Sequence, residues 1–458
     1  VGRPADIVAA VPRLPKIPCL RVVLGVAALV VSAVGCSAGS QSVPSATPTE
    51  GRFTFLKTVS VQELNTILDS GRADFLKEDP PGPGYQLPPV SKATNAVDVY
   101  TVDYETSMPE RGNERVTVSG LLALPQVADQ SAIPLLSYQH GTVYERYAVP
   151  SYAFADSTPS PHDHRPESYE DRYMVALFGG SGYAVMAADY VGMGADAGNG
   201  EAYLIKGSSA QASFDLFRQV QTYLATRNIK APKFFLAGWS QGGLNTTGFL
   251  EKLESNGVEV SGAFTAAAPN DPFAALNAAL FHPLATDSPF FAPMIGQLAF
   301  SCERYGGPAG LAKAALNPEF YPDLKSIYER SYGDPPGDPN ALLDMMTRWE
   351  GMPKVNFLAE DLRDPAAFAA SDFGRCLAAN DTYRQDFKAE LRMYFGTDDA
   401  IVRPSIGRLA YDYHLALNAT PQAQTQSRIT PFLVEGGTHR RSFITGSVAA
   451  KSWMDGLR

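Results

Sequence analysis

Gly238-Trp239-Ser240-Gln241-Gly242 sets a hydroxyl in the middle of a short turn with a glycine at each end. The apolar run Phe234-Phe235-Leu236-Ala237 leads into it, and a helical pattern from Leu244 to Leu253 leads out. A strand, a tight turn and a helix in that order lift a Ser side chain clear of a sheet. The glycines belong there because backbone segments pass too close in such a turn for a Cβ. The helix start behind the Ser favours negative charge. The chemistry this suits is attack by Ser240 on a carbonyl carbon, with the charge that develops on oxygen held by backbone N–H groups.

A Ser hydroxyl is a weak nucleophile and needs a base, which in turn needs an orienting carboxylate. The chain has six His. His439 follows the apolar run Pro431-Phe432-Leu433-Val434 and the loop Glu435-Gly436-Gly437-Thr438, so it is expected just past the end of a late strand. His414 falls within a helical stretch, and His282 precedes Pro283; neither competes as the base. For the carboxylate, the run Leu391 to Phe395 ends in Gly396-Thr397-Asp398-Asp399. Asp399 is preferred, and Asp398 is expected to cap the following turn. The developing oxyanion needs donors. One is the backbone N–H of Gln241, next after the Ser. The second is expected from Ser137-Tyr138-Gln139-His140-Gly141-Thr142, which ends an early apolar run. The Thr142 N–H is the candidate, with its hydroxyl as a third donor. His140 reads as a residue that packs or orients this loop.

These side chains need a sheet beneath them. Ser60-Val61-Gln62-Glu63 is a capping box that opens a helix to about Phe75. Val97 to Tyr104 and Arg115 to Leu124 alternate as antiparallel strands do. Ile133 to Tyr138, Tyr183 to Asp189, Phe234 to Ala237 and Val260 to Ala267 are continuous apolar runs, the pattern of strands buried on both faces. Further strands are expected at Leu391 to Phe395 and Ile429 to Val434. Helices are expected near Glu167 to Phe178, Ser208 to Ala225, Ser405 to Leu417 and Arg441 to Leu457. Strand–helix alternation at this spacing implies a parallel sheet covered on both faces. The stretch 271–388 interrupts it with helical and loop-like sequence.

With these motifs in place the chain resembles an α/β-hydrolase serine esterase or lipase. Gln139-His140-Gly141-Thr142, Ala188-Asp189-Tyr190-Val191-Gly192-Met193-Gly194, Ala202-Tyr203-Leu204 and Gly238-Trp239-Ser240-Gln241-Gly242-Gly243 are similar to the secretory lipase family. The family often has Tyr where Trp239 stands. The likeness covers roughly 97–270 and 389–458 and is weak between them. It implies an α/β-hydrolase fold, a mostly parallel sheet with helices on both faces and an inserted, mainly helical cap. It also implies the chain order nucleophile, acid, base (Ser240, Asp399, His439), and Asp189 and Tyr190 as braces near the site. No cofactor is implied. The expected function is cleavage of carboxylic esters through an acyl-enzyme. A serine peptidase or amidase on the same fold, and a non-catalytic surface-binding lipoprotein, stay open.

The expected organisation is a signal peptide over 1–35, a flexible tether over 36–52, a hydrolase core over 53–270 and 389–458, and a cap over 271–388. Arg13, Lys16 and Arg21 precede an uncharged apolar run, Val22 to Gly35, of the length of a signal-peptide core. It ends in Ala33-Val34-Gly35-Cys36, which resembles a bacterial lipobox, so Cys36 is expected to carry a lipid that anchors an exported protein to the cell envelope. An ordinary secretory signal is the alternative. Cys302 and Cys376 then form a pair, expected as a disulfide in an exported protein, or else as two buried thiols. A net charge of -10 argues against a nucleic-acid partner. Hydrophobic residues at 45% and charged residues at 19% fit a globular chain with an ample core. Pro161-His162-Asp163-His164 with Glu167 and Glu170 is read as solvated loop rather than a metal site. Phe281, Leu284, Phe290, Phe291, Met294, Ile295 and Leu298 form an apolar cluster in the cap, either packing or an acyl-binding wall.

Overall fold

The structure is a computed structural model that describes residues 50–77, 79–156, 168–196, 198–334, 336–417 and 428–458. The expected signal peptide with Cys36, most of the tether and the 161–167 part of the His-rich loop lie outside the described residues. Among the described residues nine strands form one sheet: β1 (Arg52–Val59), β2 (Val97–Met108), β3 (Glu114–Pro125), β4 (Leu135–Gln139), β5 (Ala184–Ala188), β6 (Phe234–Trp239), β7 (Gly262–Ala266), β8 (Leu391–Gly396) and β9 (Ile429–Val434). Their order is β1-β2-β3-β5-β4-β6-β7-β8-β9. The first three strands and the β3–β5 pair are antiparallel, and β4 to β9 run parallel.

Alternation along the strands explains two covered faces. In β6, Phe235 and Ala237 join one apolar cluster, while Phe234 and Leu236 join the other. Side chains two apart share a face, so a run apolar at every position must be buried twice. Helices Tyr169–Phe178 and His439–Asp455 pack on the first face, and Lys206–Thr226 and Gln241–Ser255 on the second. The expected strands are present, each within a few residues of its run. β1 has no counterpart in the sequence reading. Its alternation is weak, and it is an edge strand with Phe55 exposed. The helix expected over Ser405 to Leu417 is two pieces, Pro404–Gly407 and Leu409–Leu417.

The chain enters β4, steps to β5 on one side, then crosses to β6 on the other. The carboxyl ends of β4 and β6 are therefore neighbours at the point where the strand order reverses. Ligands bind at such a point in open α/β sheets. Between β7 and β8 the chain leaves the sheet and builds helices that include Pro272–Phe281, Phe291–Arg304, Tyr321–Glu329, Pro339–Arg348 and Asp372–Ala379. A disulfide joins Cys302 to Cys376 inside this insertion, with Cα atoms 5.9 Å apart.

Candidate active site

Ser240 sits between the end of β6 and helix Gln241–Ser255 with φ 55° and ψ -125°. A non-glycine residue in that conformation costs roughly 1–3 kcal/mol. The surroundings hold it there. The Ser240 N–H donates to the Ala266 carbonyl on β7 at 2.9 Å. A Cβ on Gly238 would lie 2.1 Å from the Gly242 carbonyl oxygen, and one on Gly242 would lie 1.9 Å from the Gln139 carbonyl oxygen. Both glycines are therefore close-approach positions. The second also shows how tightly the loop after β4 presses on the helix start.

Asp399, just past β8, and His439, the first residue of the closing helix, are both buried. Asp399 Oδ2 lies 2.9 Å from His439 Nδ1. Asp399 Oδ1 accepts the N–H groups of Ile401 and Val402 at 2.9 and 2.8 Å. Those bonds fix the carboxylate and leave Nε2 as the imidazole's outward nitrogen. The turn-capping role expected of Asp398 thus belongs to Asp399. Asp398 is exposed and accepts the Thr397 hydroxyl at 2.8 Å. Position along the turn decides this, because only Asp399 reaches back over the N–H groups two and three residues on.

Trp239 ties the imidazole to the elbow. Its indole N–H donates to the His439 carbonyl at 3.1 Å, and its ring lies 5.1 Å from the imidazole and 5.1 Å from Phe443. The His loop is pinned from the other side. Gly82 N donates to Gly436 O at 2.9 Å, and the Thr438 hydroxyl donates to Asp79 at 2.5 Å. The structure thus joins Asp399 to His439 directly and sets His439 beside the residue that precedes Ser240. Among the described residues no hydrogen bond links the Ser240 hydroxyl to the imidazole. Nucleophile–base contacts are often long without a substrate.

The two candidate oxyanion donors lie at the start of the elbow helix and on the loop after β4. Gln241 is the first residue of its helix, where backbone N–H groups have no partner within the helix. Thr142 lies three residues beyond Gln139, which pairs with Gly238 in the β4–β6 register. The Thr142 hydroxyl is 2.9 Å from the Tyr203 hydroxyl, and either oxygen can donate to the other. Glu170 accepts the Gly141 N–H at 2.9 Å and the Tyr138 hydroxyl, fixing the loop one residue before Thr142. Burial pushes the Glu170 carboxyl up to about 7, against those two donors. His140 is fully buried, stacks on Tyr190 with ring centres 4.3 Å apart, and sets Nδ1 2.8 Å from the Gly141 carbonyl. Burial lowers its pKa, which keeps the ring neutral and suits a packing role.

Asp189 accepts the Ser119 hydroxyl at 2.6 Å and the N–H and hydroxyl of Ser151 at 2.9 and 2.6 Å. Tyr190 donates to the His140 carbonyl at 3.1 Å. Both brace loops, as the motif suggested. His414 and His282 lie elsewhere: one stacks on Phe387, and the other follows helix Pro272–Phe281. Of the apolar cluster in the insertion, Phe291, Ile295 and Leu298 are buried, whereas Leu284 and Phe290 are exposed. Among the described residues no group of His, Cys, Asp and Glu has the makings of a metal site.

Sequence reasoning missed Glu201 and Arg330. Glu201 is fully buried and accepts the Gln241 side-chain N–H at 3.0 Å, and Arg330 of the insertion pairs with its other oxygen. Glu201 carried a faint signal, a lone charge ahead of the apolar Ala202-Tyr203-Leu204. Arg330 carried none, since Glu329-Arg330-Ser331 reads as helix surface.

No protein-family model and no curated protein matches this chain. Solved structures do. A candidate hydrolase from Legionella pneumophila superposes with a TM-score of 0.68 at 16% identity, over 89% of this chain and 97% of that one. The rice cell wall degrading esterase LipA from Xanthomonas oryzae gives 0.66 at 17% identity, over 89% and 98%. Candida antarctica lipase A gives 0.55 at 15% identity, over 86% and 81%. At these identities the likeness is one of architecture. Strand order, the elbow after β6 and these neighbours together establish that the chain has the α/β-hydrolase fold.

Proposed function

We propose that this protein hydrolyses carboxylic esters, with Ser240 as nucleophile, His439 as base and Asp399 as its orienting acid. The observation that carries the reading is a strained Ser at the elbow beside a buried Asp399–His439 pair. In this reading His439 takes the Ser240 proton as the hydroxyl attacks the ester carbonyl. The N–H groups of Gln241 and Thr142 hold the tetrahedral oxyanion. His439 then protonates the leaving alcohol, and water releases the acid from the acyl-enzyme by the same relay. Asp399 fixes the tautomer and steadies the imidazolium. The insertion serves as a cap that shapes the pocket. Export, with a lipid on Cys36 holding the protein at the cell envelope, belongs to the same proposal and rests on sequence alone. Ester rather than amide hydrolysis is favoured because two of the matched structures are an esterase and a lipase.

A panel of p-nitrophenyl esters of rising acyl length, set beside peptide amides, tests the substrate class. Ester turnover that exceeds amide turnover on every member is expected, and Ser240→Ala should lower kcat by about 10⁴–10⁶-fold with the fold intact. Ester turnover that survives Ser240→Ala refutes the assignment.

A further inference from the structure

The oxyanion side of the site is braced by the insertion through a buried network of side chains. Helix Tyr321–Glu329 ends at Arg330, whose φ of 55° turns the chain sharply. A left-handed conformation at a non-glycine residue is uncommon. Arg330 is nearly buried, and its guanidinium donates to the Tyr328 carbonyl at 2.6 Å, to the Val143 carbonyl at 3.4 Å and to the Glu201 carboxylate. The second Glu201 oxygen accepts the Gln241 side-chain N–H at 3.0 Å. Arg330 therefore touches the residue after Thr142 and, through one carboxylate, the side chain of Gln241. Neighbours of Arg330 in the fold grip the same two segments. Ser301 donates to the Glu201 carbonyl at 2.5 Å and accepts the Tyr203 N–H at 2.8 Å. The Tyr328 hydroxyl donates to the Glu201 carbonyl at 3.1 Å, and the Tyr332 hydroxyl to the Tyr144 carbonyl at 2.9 Å. Gly200 leaves the room this needs, since a Cβ there would lie 2.3 Å from the Tyr328 hydroxyl.

We propose that Arg330, acting through Glu201 and the Val143 carbonyl, is a positioning residue for the oxyanion hole, and that the insertion holds both donors in register rather than merely covering the site. The inference rests on the reading above in which Gln241 and Thr142 supply those donors. A planar guanidinium can serve a carboxylate and two carbonyls at once; an ammonium is a point charge with three donors on a flexible stem. A buried ion pair broken on one side leaves an unpaired charge, whereas removal of both charges does not. The network gives up its geometry if either end is cut, while Ser240, His439 and Asp399 stay in place.

The test is steady-state kinetics of the full chain on a short p-nitrophenyl ester, with a boronic acid as a mimic of the tetrahedral adduct. The double variant Arg330→Met/Glu201→Gln removes the pair without stranding a charge. Its kcat should fall about 10–100-fold, at or below the loss of one oxyanion donor, with KM within about twofold. Boronate affinity should weaken by a similar factor. Arg330→Lys should fall between the double variant and the parent. It carries the same readouts should the double variant not fold. An unchanged kcat in whichever variant folds, or a loss confined to KM, overturns the inference. Ser240→Ala read in parallel separates the two ideas: retained turnover there sinks the hydrolase reading, whereas lost turnover there with normal kcat in the pair variants sinks only the role of Arg330.

Discussion

The two sides of Ser240 are held by different parts of the chain and by different forces. On one side, His439 is fixed by the hydrolase core: the Asp399 carboxylate at 2.9 Å, the Trp239 indole through a backbone carbonyl, and an aromatic stack with Phe443. On the other, Glu170 of the core fixes Gly141, and a buried charge pair whose cation comes from the insertion between β7 and β8 grips the Val143 carbonyl and the Gln241 side chain. The core side uses neutral contacts and one short charge-assisted bond between residues that follow adjacent strands. The insertion side spends two buried charges, which cost several kcal/mol of desolvation unless every partner is in place. A network of that kind is sensitive to geometry, so cutting the insertion side should loosen transition-state stabilisation without unfolding the sheet.

The sharpest way to separate the sides is at the acid. With Asp399 as the proposed orienting acid, Asp399→Asn should lower kcat by about 10³–10⁴-fold, whereas Asp398→Asn should stay within about twofold. Equal losses at both positions, measured as kcat on one ester, would erase the distinction drawn between these two side chains. The pair variants at Arg330 and Glu201 come next, with their smaller and KM-silent loss.

The same contrast governs how much could be read before the fold was known. The apolar runs at β4, β5, β6 and β7 are dictated by burial on both faces, so each is visible in the sequence as a largely apolar stretch. The elbow was legible because Gly238 and Gly242 answer to local backbone crowding, and Ser240 lies between them. Asp399 and His439 were legible because each follows a strand that announces itself. Glu201 and Arg330 were not, because 129 positions separate them and only the packed insertion brings them together. Thr142 was singled out by its loop, whereas its contact with the Tyr203 hydroxyl was not foreseen, because that partner lies 61 positions away. β1 escaped because an edge strand needs no strong apolar pattern.

The disulfide sharpens the comparison further. Cys302 lies next to Ser301, which grips Glu201 and Tyr203, and its partner is 74 positions on. Cys302→Ser/Cys376→Ser should destabilise the chain by about 2–4 kcal/mol, seen as a lower urea midpoint. Its kcat should fall less than in the pair variants, since Arg330 and Glu201 stay in place. A kcat loss larger than theirs would move the control of the oxyanion side from the charge pair to the disulfide.

The smallest effect concerns Glu170, the core's own contact with the oxyanion loop. Its carboxyl is raised from 4.5 to about 7, chiefly by burial, and Asp189 is raised from 3.8 to about 6 for the same cause. Asp171 beside Glu170 is shifted upward as well. Between about pH 4.5 and 7 the folded chain keeps a proton at Glu170 that the unfolded chain has released. Stability from this group is full at the acid end and falls as pH rises through 7. Glu170→Gln, a neutral mimic of the protonated acid, should flatten the fall of Tm across that window without abolishing it, because Asp189 and Asp171 act in the same sense. A Tm profile as steep as the parent's would remove Glu170 from the account.

The most direct test of the central claim is covalent labelling by a fluorophosphonate, with the adduct located by peptide mass spectrometry and its rate of formation measured. One adduct is expected, on Ser240, formed orders of magnitude more slowly in His439→Ala and slowed by a lesser factor in Arg330→Met/Glu201→Gln. An adduct on another residue, or a Ser240 labelling rate indifferent to His439→Ala, would contradict it.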